Sequence, residues 1–168
     1  MFDPHAYGEE IASLLALDGN GERLMPLAGG TCSSEEARER LKESQLPVLV
    51  LAGLYLYFSC WDKAHSLVDE LETPDGCYWH AIVHRQEPDA GNSAYWFGRV
   101  GKHPIFPALY QRAAEIGVVT GSDWEPRAFV DYCEIARKRP GSIEERRAIE
   151  VQRVEWQLLF DWCAKARA

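Results

Sequence analysis

The stretch 73–104, "TPDGCYWHAIVHRQEPDAGNSAYWFGRVGKHP", decides the fold. Thr73-Pro74 starts a helix, since a proline at the first helical position brings a preset φ and lacks an N–H that would be unpaired anyway. The helix runs to Glu87. Pro88 stops it, because proline cannot continue the hydrogen-bond ladder. The segment "PDAGN" is a turn, and Asn92 can cap a short helix that ends near Gly101. The whole stretch is therefore a helical hairpin.

The same punctuation continues on both sides. Asp3-Pro4 opens a helix over 4–17, which stops at "DGNG". Ser33 and Glu36 have capping-box spacing before a charged helix over 34–44. Pro47 opens an apolar helix over 47–58, and a helix over 62–72 follows "SCWD". Beyond the hairpin, helices are expected from Pro104 to Ile116, over 126–138, and from a second capping box at Ser142 and Glu145 to about residue 166. Only "GVVTG" (117–121) could be a short extended piece. About eight helices joined mostly by short turns define an all-α chain of antiparallel αα-hairpins, tetratricopeptide-like or an irregular bundle. No repeat of about 34 residues runs through the chain, so the tetratricopeptide likeness is architectural. The expectation is one all-α domain over 1–168.

Composition narrows the functional classes. The 168 residues carry a formal charge of −8. Nucleic acids and anionic membranes call for basic surface, so neither is an expected partner. The one short basic run, Arg137 to Arg139, reads as a solvated helix end. The longest apolar run, "LPVLVLAGLYLYF" (46–58), is too short to span a bilayer and reads as a core helix. Cys32, Cys60, Cys77, Cys133 and Cys163 are widely spaced, with no C-x-x-C pair. They read as buried thiols of a reduced, cytoplasmic protein, not as a disulfide framework or a zinc knuckle. The N-terminus shows no secretory signal. Phosphate-binding loops and the G-x-S-x-G elbow are missing from the sequence.

Helical geometry groups the polar residues. At 100° per residue, His80, His84 and Glu87 share one stripe, beside the apolar arc of Tyr78, Trp79, Ile82 and Val83. Two histidines four apart can ligate one ion, and a carboxylate one turn on can be a third ligand or a base. His65 lies on the apolar stripe of helix 62–72, which precedes the motif helix directly. It should face inward and approach His80 or His84. His103, beside Pro104, is a further candidate ligand. On the last helix Glu155 falls inside the arc of Val151, Val154, Leu158, Leu159 and Trp162. A buried carboxylate needs a partner. Arg85 and Arg99 are the best candidates, because a guanidinium fork matches a carboxylate.

The run 78–106, "YWHAIVHRQEPDAGNSAYWFGRVGKHPIF", resembles the signature of an uncharacterised family of mostly microbial α-helical proteins, roughly W-H-x-I-x-H-R-R-E-x-D-x-x-N-x-x-Y-W-F-x-R-V-G-x-H-P. Trp79, His80, His84, Arg85, Glu87, Asp89, Asn92, Tyr95, Trp96, Arg99, Gly101, His103 and Pro104 match that pattern. The segment 151–163 is similar to the family's last helix. Gln86 and Gly98 stand where the pattern has basic residues. The resemblance implies that these residues act as a set, and it carries no established activity.

Three functional expectations follow. The first is a helical binding module whose cleft, lined by Trp79, Arg85, Tyr95, Trp96 and Arg99, takes a small anionic molecule, a peptide or a partner protein. The second is a metal-dependent enzyme, a hydrolase or oxidoreductase. It would hold zinc, iron or manganese on His80, His84 and a third ligand from His65, His103 or Glu87, with Glu87 or Glu155 as base. The third is a purely structural network fixing one hairpin geometry.

Overall fold

The computed structural model describes residues 2–165. The elements are α1 (Glu9–Leu15), α2 (Glu35–Glu43), α3 (Val48–Tyr57), α4 (Trp61–Val68), α5 (Pro74–Gln86), α6 (Ala90–Val100), α7 (Phe106–Ile116), α8 (Pro126–Arg137) and α9 (Ile143–Lys165), with 3₁₀ turns at Pro4–Tyr7 and Gly19–Gly21. No strand occurs among the described residues, so "GVVTG" is a connection. No helix among them is long and apolar enough to cross a membrane.

Helix α7 begins at Phe106 where the sequence predicts Pro104, and three other helix starts differ from the sequence reading, each for a local reason. The helix expected over 4–17 is interrupted at Gly8, whose φ of 94° separates the 3₁₀ turn from α1. Ser34, not Ser33, caps α2 by accepting from the Ala37 N–H. Ser33 is spent elsewhere: its hydroxyl donates to Asp18 and its N–H to the Phe58 carbonyl. Asp89, not Asn92, caps α6, because the Asp89 carboxylate accepts both the N–H and the side-chain amide of Asn92.

The hairpin decided by the opening stretch is present, and its neighbours extend it. Trp61 reaches Val83 while His65 reaches His80, so α4 and α5 run in opposite directions. Ser93 bonds to the Ala81 carbonyl while Phe97 packs on Tyr78, so α5 and α6 are antiparallel too. Beyond α6 the simple order ends. Helix α8 packs on α6, and α9 packs on α3, α7 and α8. The result is an irregular bundle.

Helix α9 is what joins it. Ala148, Val151 and Val154 enter one apolar cluster with Leu109, Phe129 and Cys133. Trp156, Leu159, Phe160 and Cys163 enter the other, with α3 and α5. Gly53 lets α3 pack closely against α5 and α9. A Cβ there would stand 2.9 Å from the Trp79 ring and 3.0 Å from Phe160, and the Gly53 carbonyl accepts the Trp156 indole N–H at 2.8 Å.

The expectation of five free thiols is corrected. Cys32 and Cys60 are joined as a disulfide, and Cys77, Cys133 and Cys163 are free and buried. The pairing is tertiary: the loop before α2 is drawn to the end of α3, where the Ser33 N–H meets the Phe58 carbonyl at 2.7 Å.

Candidate metal centre

Helix α5 lies between α3, α4 and α6, and every residue from Gly76 to Gln86 is buried. Its histidine stripe is therefore covered, where a bundle-surface helix would leave it at the edge of the core. His80 and His84 are buried, and α4 supplies the half-buried His65. The Nε2 atoms of His65 and His80 lie 3.2 Å apart. One nitrogen from each of His65, His80 and His84 falls within 4.8 Å of the other two. Metal–nitrogen bonds of about 2.0–2.1 Å in tetrahedral geometry put two donors roughly 3.3 Å apart, so the His65–His80 spacing suits two ligands of one ion.

Protonation favours ligation. Burial first, and then the neighbouring His84 and His65, push the His80 imidazole down to about 4. It is thus neutral at pH 7, the form that binds a metal. Its Nδ1 is buried without a hydrogen-bond partner. His84 Nδ1 lies 2.9 Å from a Glu87 carboxylate oxygen. That contact favours the tautomer with the proton on Nδ1 and leaves Nε2 free as a donor, the carboxylate–histidine–metal arrangement of many metal sites. Aromatic rings fix the imidazoles. His80 stacks on Trp96 with centroids 3.9 Å apart and on His84 at 4.8 Å, and Trp61 packs against His65 at 5.0 Å.

The other candidates go elsewhere. His103 does not join the cluster. It lies 2.8 Å from Asp75 through Nε2 and accepts the Ile105 N–H at Nδ1, so both ring nitrogens are used. Glu155 is fully buried, bonded to Arg85 at 2.5 Å and to the Tyr78 hydroxyl at 3.0 Å, and touches none of the histidines through a hydrogen bond. Arg85 lies over the Phe129 ring at 4.8 Å. Burial opposes its charge most strongly, but Glu155, with Cys133 and Tyr78 beside it, outweighs this and raises the guanidinium pKa. Burial, then the Glu155 charge, raises the Tyr78 phenol well above its usual range.

The five residues expected to line a binding cleft fall into two groups. Trp79 and Arg85 face the core, whereas Tyr95, Trp96 and Arg99 touch one another on α6, with Tyr95 and Arg99 exposed. Arg99 pairs with Glu72 at 3.2 Å and bonds to the Tyr95 hydroxyl. Only Trp96 of the five stacks on the histidines. Asp89 lies near Glu87 and His84, but its carboxylate is taken by the α6 cap.

Trp61 is a site residue that the sequence marks only as an aromatic at the turn before helix 62–72. Its place one turn before His65 was the available signal. Its indole N–H donates to the Val83 carbonyl, which locks α4 on α5 at the level of the histidines. Beside it opens a shallow cleft of about 290 Å³, bordered by Gly29, Gly30, Asp62 and Glu87. Nothing local in sequence links the Gly29-Gly30 pair to α5. The Gly29 N–H donates to the Gln86 carbonyl at 2.5 Å.

Compared with protein families, curated proteins and solved structures, the chain matches none.

Proposed function

We propose that this protein is a metal-dependent enzyme whose single divalent ion is held by His65, His80 and His84. The observation that carries the proposal is the convergence of three imidazole nitrogens within 4.8 Å from two helices. Three protein ligands leave a fourth position for water, the pattern of catalytic zinc and not of closed structural sites. A bound ion would lower the pKa of that water and supply a nucleophile for hydrolysis near neutral pH. Glu87 holds His84 and, being exposed at the edge of the cleft, is the group to take the proton. The Cys32–Cys60 disulfide points away from a reducing compartment, so the cytoplasmic expectation is not part of the proposal.

An anion-binding module draws less support. Arg85 is committed to Glu155 in the core, and the exposed Arg99 is paired with Glu72.

The test is elemental analysis of protein purified without a metal-affinity tag and incubated in turn with zinc, iron and manganese. The expected result is about one ion per chain for the preferred metal, lost in His80→Ala. Substoichiometric content with all three overturns the proposal.

A further inference from the structure

We propose that Trp96 is the positioning residue of the centre: its indole holds the His80 imidazole in place by stacking, and holds it harder once that imidazole shares the charge of a bound ion. The inference rests on the metal-centre reading above. The histidines differ in what fixes their rings. A metal-bound histidine ordinarily donates its second ring N–H to a carboxylate, a carbonyl or water. His84 has such a partner in Glu87. His80 has none: its Nε2 faces His65, and its Nδ1 is buried without a hydrogen bond. No outer hydrogen bond therefore sets the rotation of its ring.

Stacking sets it instead. The ring lies against Trp96 with centroids 3.9 Å apart and planes 19° from parallel, and against His84 at 4.8 Å and 16°. Two near-parallel rings at these distances take the two faces of one imidazole and leave it no room to turn. Trp96 comes from α6, a third helix beside the two that supply the nitrogens. Ser93, one turn earlier, fixes α6 on α5 by donating to the Ala81 carbonyl at 2.8 Å, and Phe97 packs on Tyr78. The close stack is thus built by the hairpin itself.

Charge makes the stack favour the loaded state. A neutral imidazole on an indole gains mainly dispersion energy. An imidazole bonded to a divalent ion shares its positive charge, and the indole face attracts cations more strongly than the other aromatic side chains do. Trp96 therefore contributes more with the ion bound than without it, and such a difference raises affinity. Phenylalanine would keep part of this attraction, and leucine only the packing. Arg99, whose guanidinium lies over the same ring at 5.4 Å, draws on the same π density, so the expected effect is moderate.

The test is the zinc affinity of the full chain, measured by competition with a chelating dye. Trp96→Leu should weaken zinc about three- to thirtyfold, and Trp96→Phe by less. Shape is separated from charge by 5-fluorotryptophan, which keeps the indole in place and withdraws its π density. Produced with this analogue, the parent chain should lose about twofold in zinc affinity. Trp96→Phe, which retains five of the six tryptophans, should be unaffected by it. The proposal is overturned if Trp96→Leu binds zinc as tightly as the parent, if fluorination leaves the parent unchanged, or if it weakens Trp96→Phe as much. Should Trp96→Leu fail to fold, the fluorinated parent and Trp96→Phe decide between the same outcomes. A parent chain that takes up no zinc is seen separately, as metal content. It overturns the metal centre and this proposal with it.

Discussion

His65 and His80 face each other through their Nε2 atoms at 3.2 Å, one on α4 and the other on α5. Only one proton can sit between two such nitrogens, and an ion can replace it. Ligand binding to the native state alone stabilises it by mass action, by about 2.7 kcal/mol at a hundredfold excess over Kd. Zinc should therefore raise the thermal unfolding midpoint of the parent chain, measured by circular dichroism. A chelator should reverse the shift, and His65→Ala should show none. A shift of equal size in His65→Ala would place the binding elsewhere.

Glu87 contacts the proposed centre through His84. Removing such an outer partner typically costs about 10–100-fold in metal affinity. Glu87→Gln should weaken zinc by an amount in that range, measured by competition with a chelating dye. Its unfolding midpoint without metal should stay near that of the parent, because Glu87 is exposed.

His80 sets a pH dependence of the metal-free fold. Burial and the neighbouring imidazoles hold it at about 4 in the folded chain, below the ordinary value of about 6.5 in the unfolded one. Between these values the unfolded chain binds more protons, so acid favours unfolding. The contribution is fully present above pH 6.5 and is lost as the pH falls towards 4. Urea unfolding of metal-free protein across this window should show a falling midpoint. His80→Gln should flatten that slope, and an unchanged slope would assign the dependence to other groups.

Arg85 and Glu155 form the buried pair of the core, with side chains 1% and 0% exposed. Removing one partner strands a charge, at a cost of about 3–5 kcal/mol. Glu155→Gln and Arg85→Met should each lose stability in that range by chemical denaturation. The double substitution Arg85→Met with Glu155→Met should recover much of it, since an apolar pair strands no charge. A double variant as unstable as the sum of the singles would argue against this account.

Gly53 is needed for its lack of a side chain. A Cβ would press on Trp79 and Phe160, both buried ring systems that cannot swing aside. Gly53→Ala should cost about 1–3 kcal/mol, as overpacking does, although alanine is the better helix former. A neutral or stabilising result would mean that α3 can shift outward freely.

Much of this molecule was legible in the chain. Thr73-Pro74, Pro88 and Gly101 mark the hairpin ends, because caps and breakers act on their own turn of backbone. The inward placement of His65 and Glu155 followed from helical periodicity, which depends only on residue spacing. Ser33 and Asn92 misled because a neighbour was better placed to cap: Ser33 is drawn away by Asp18 and Phe58, and Asn92 donates to Asp89. Tertiary contacts set the first competition and local geometry the second.

What the sequence determined by itself is local: which segments are helical, where they stop, and which face of each carries the histidines and the lone buried acid. These follow from propensity, capping and a period of 3.6 residues. What the tertiary structure decided is pairing. It chose Arg85 over Arg99 for Glu155, gave His65 and not His103 to the α5 histidines, joined Cys32 to Cys60, and laid the Gly29-Gly30 loop against the end of α5. Each of these choices depends on how whole helices cross. Crossing is set by the sum of many packing contacts, such as the close approach at Gly53, and no local residue pattern encodes that sum.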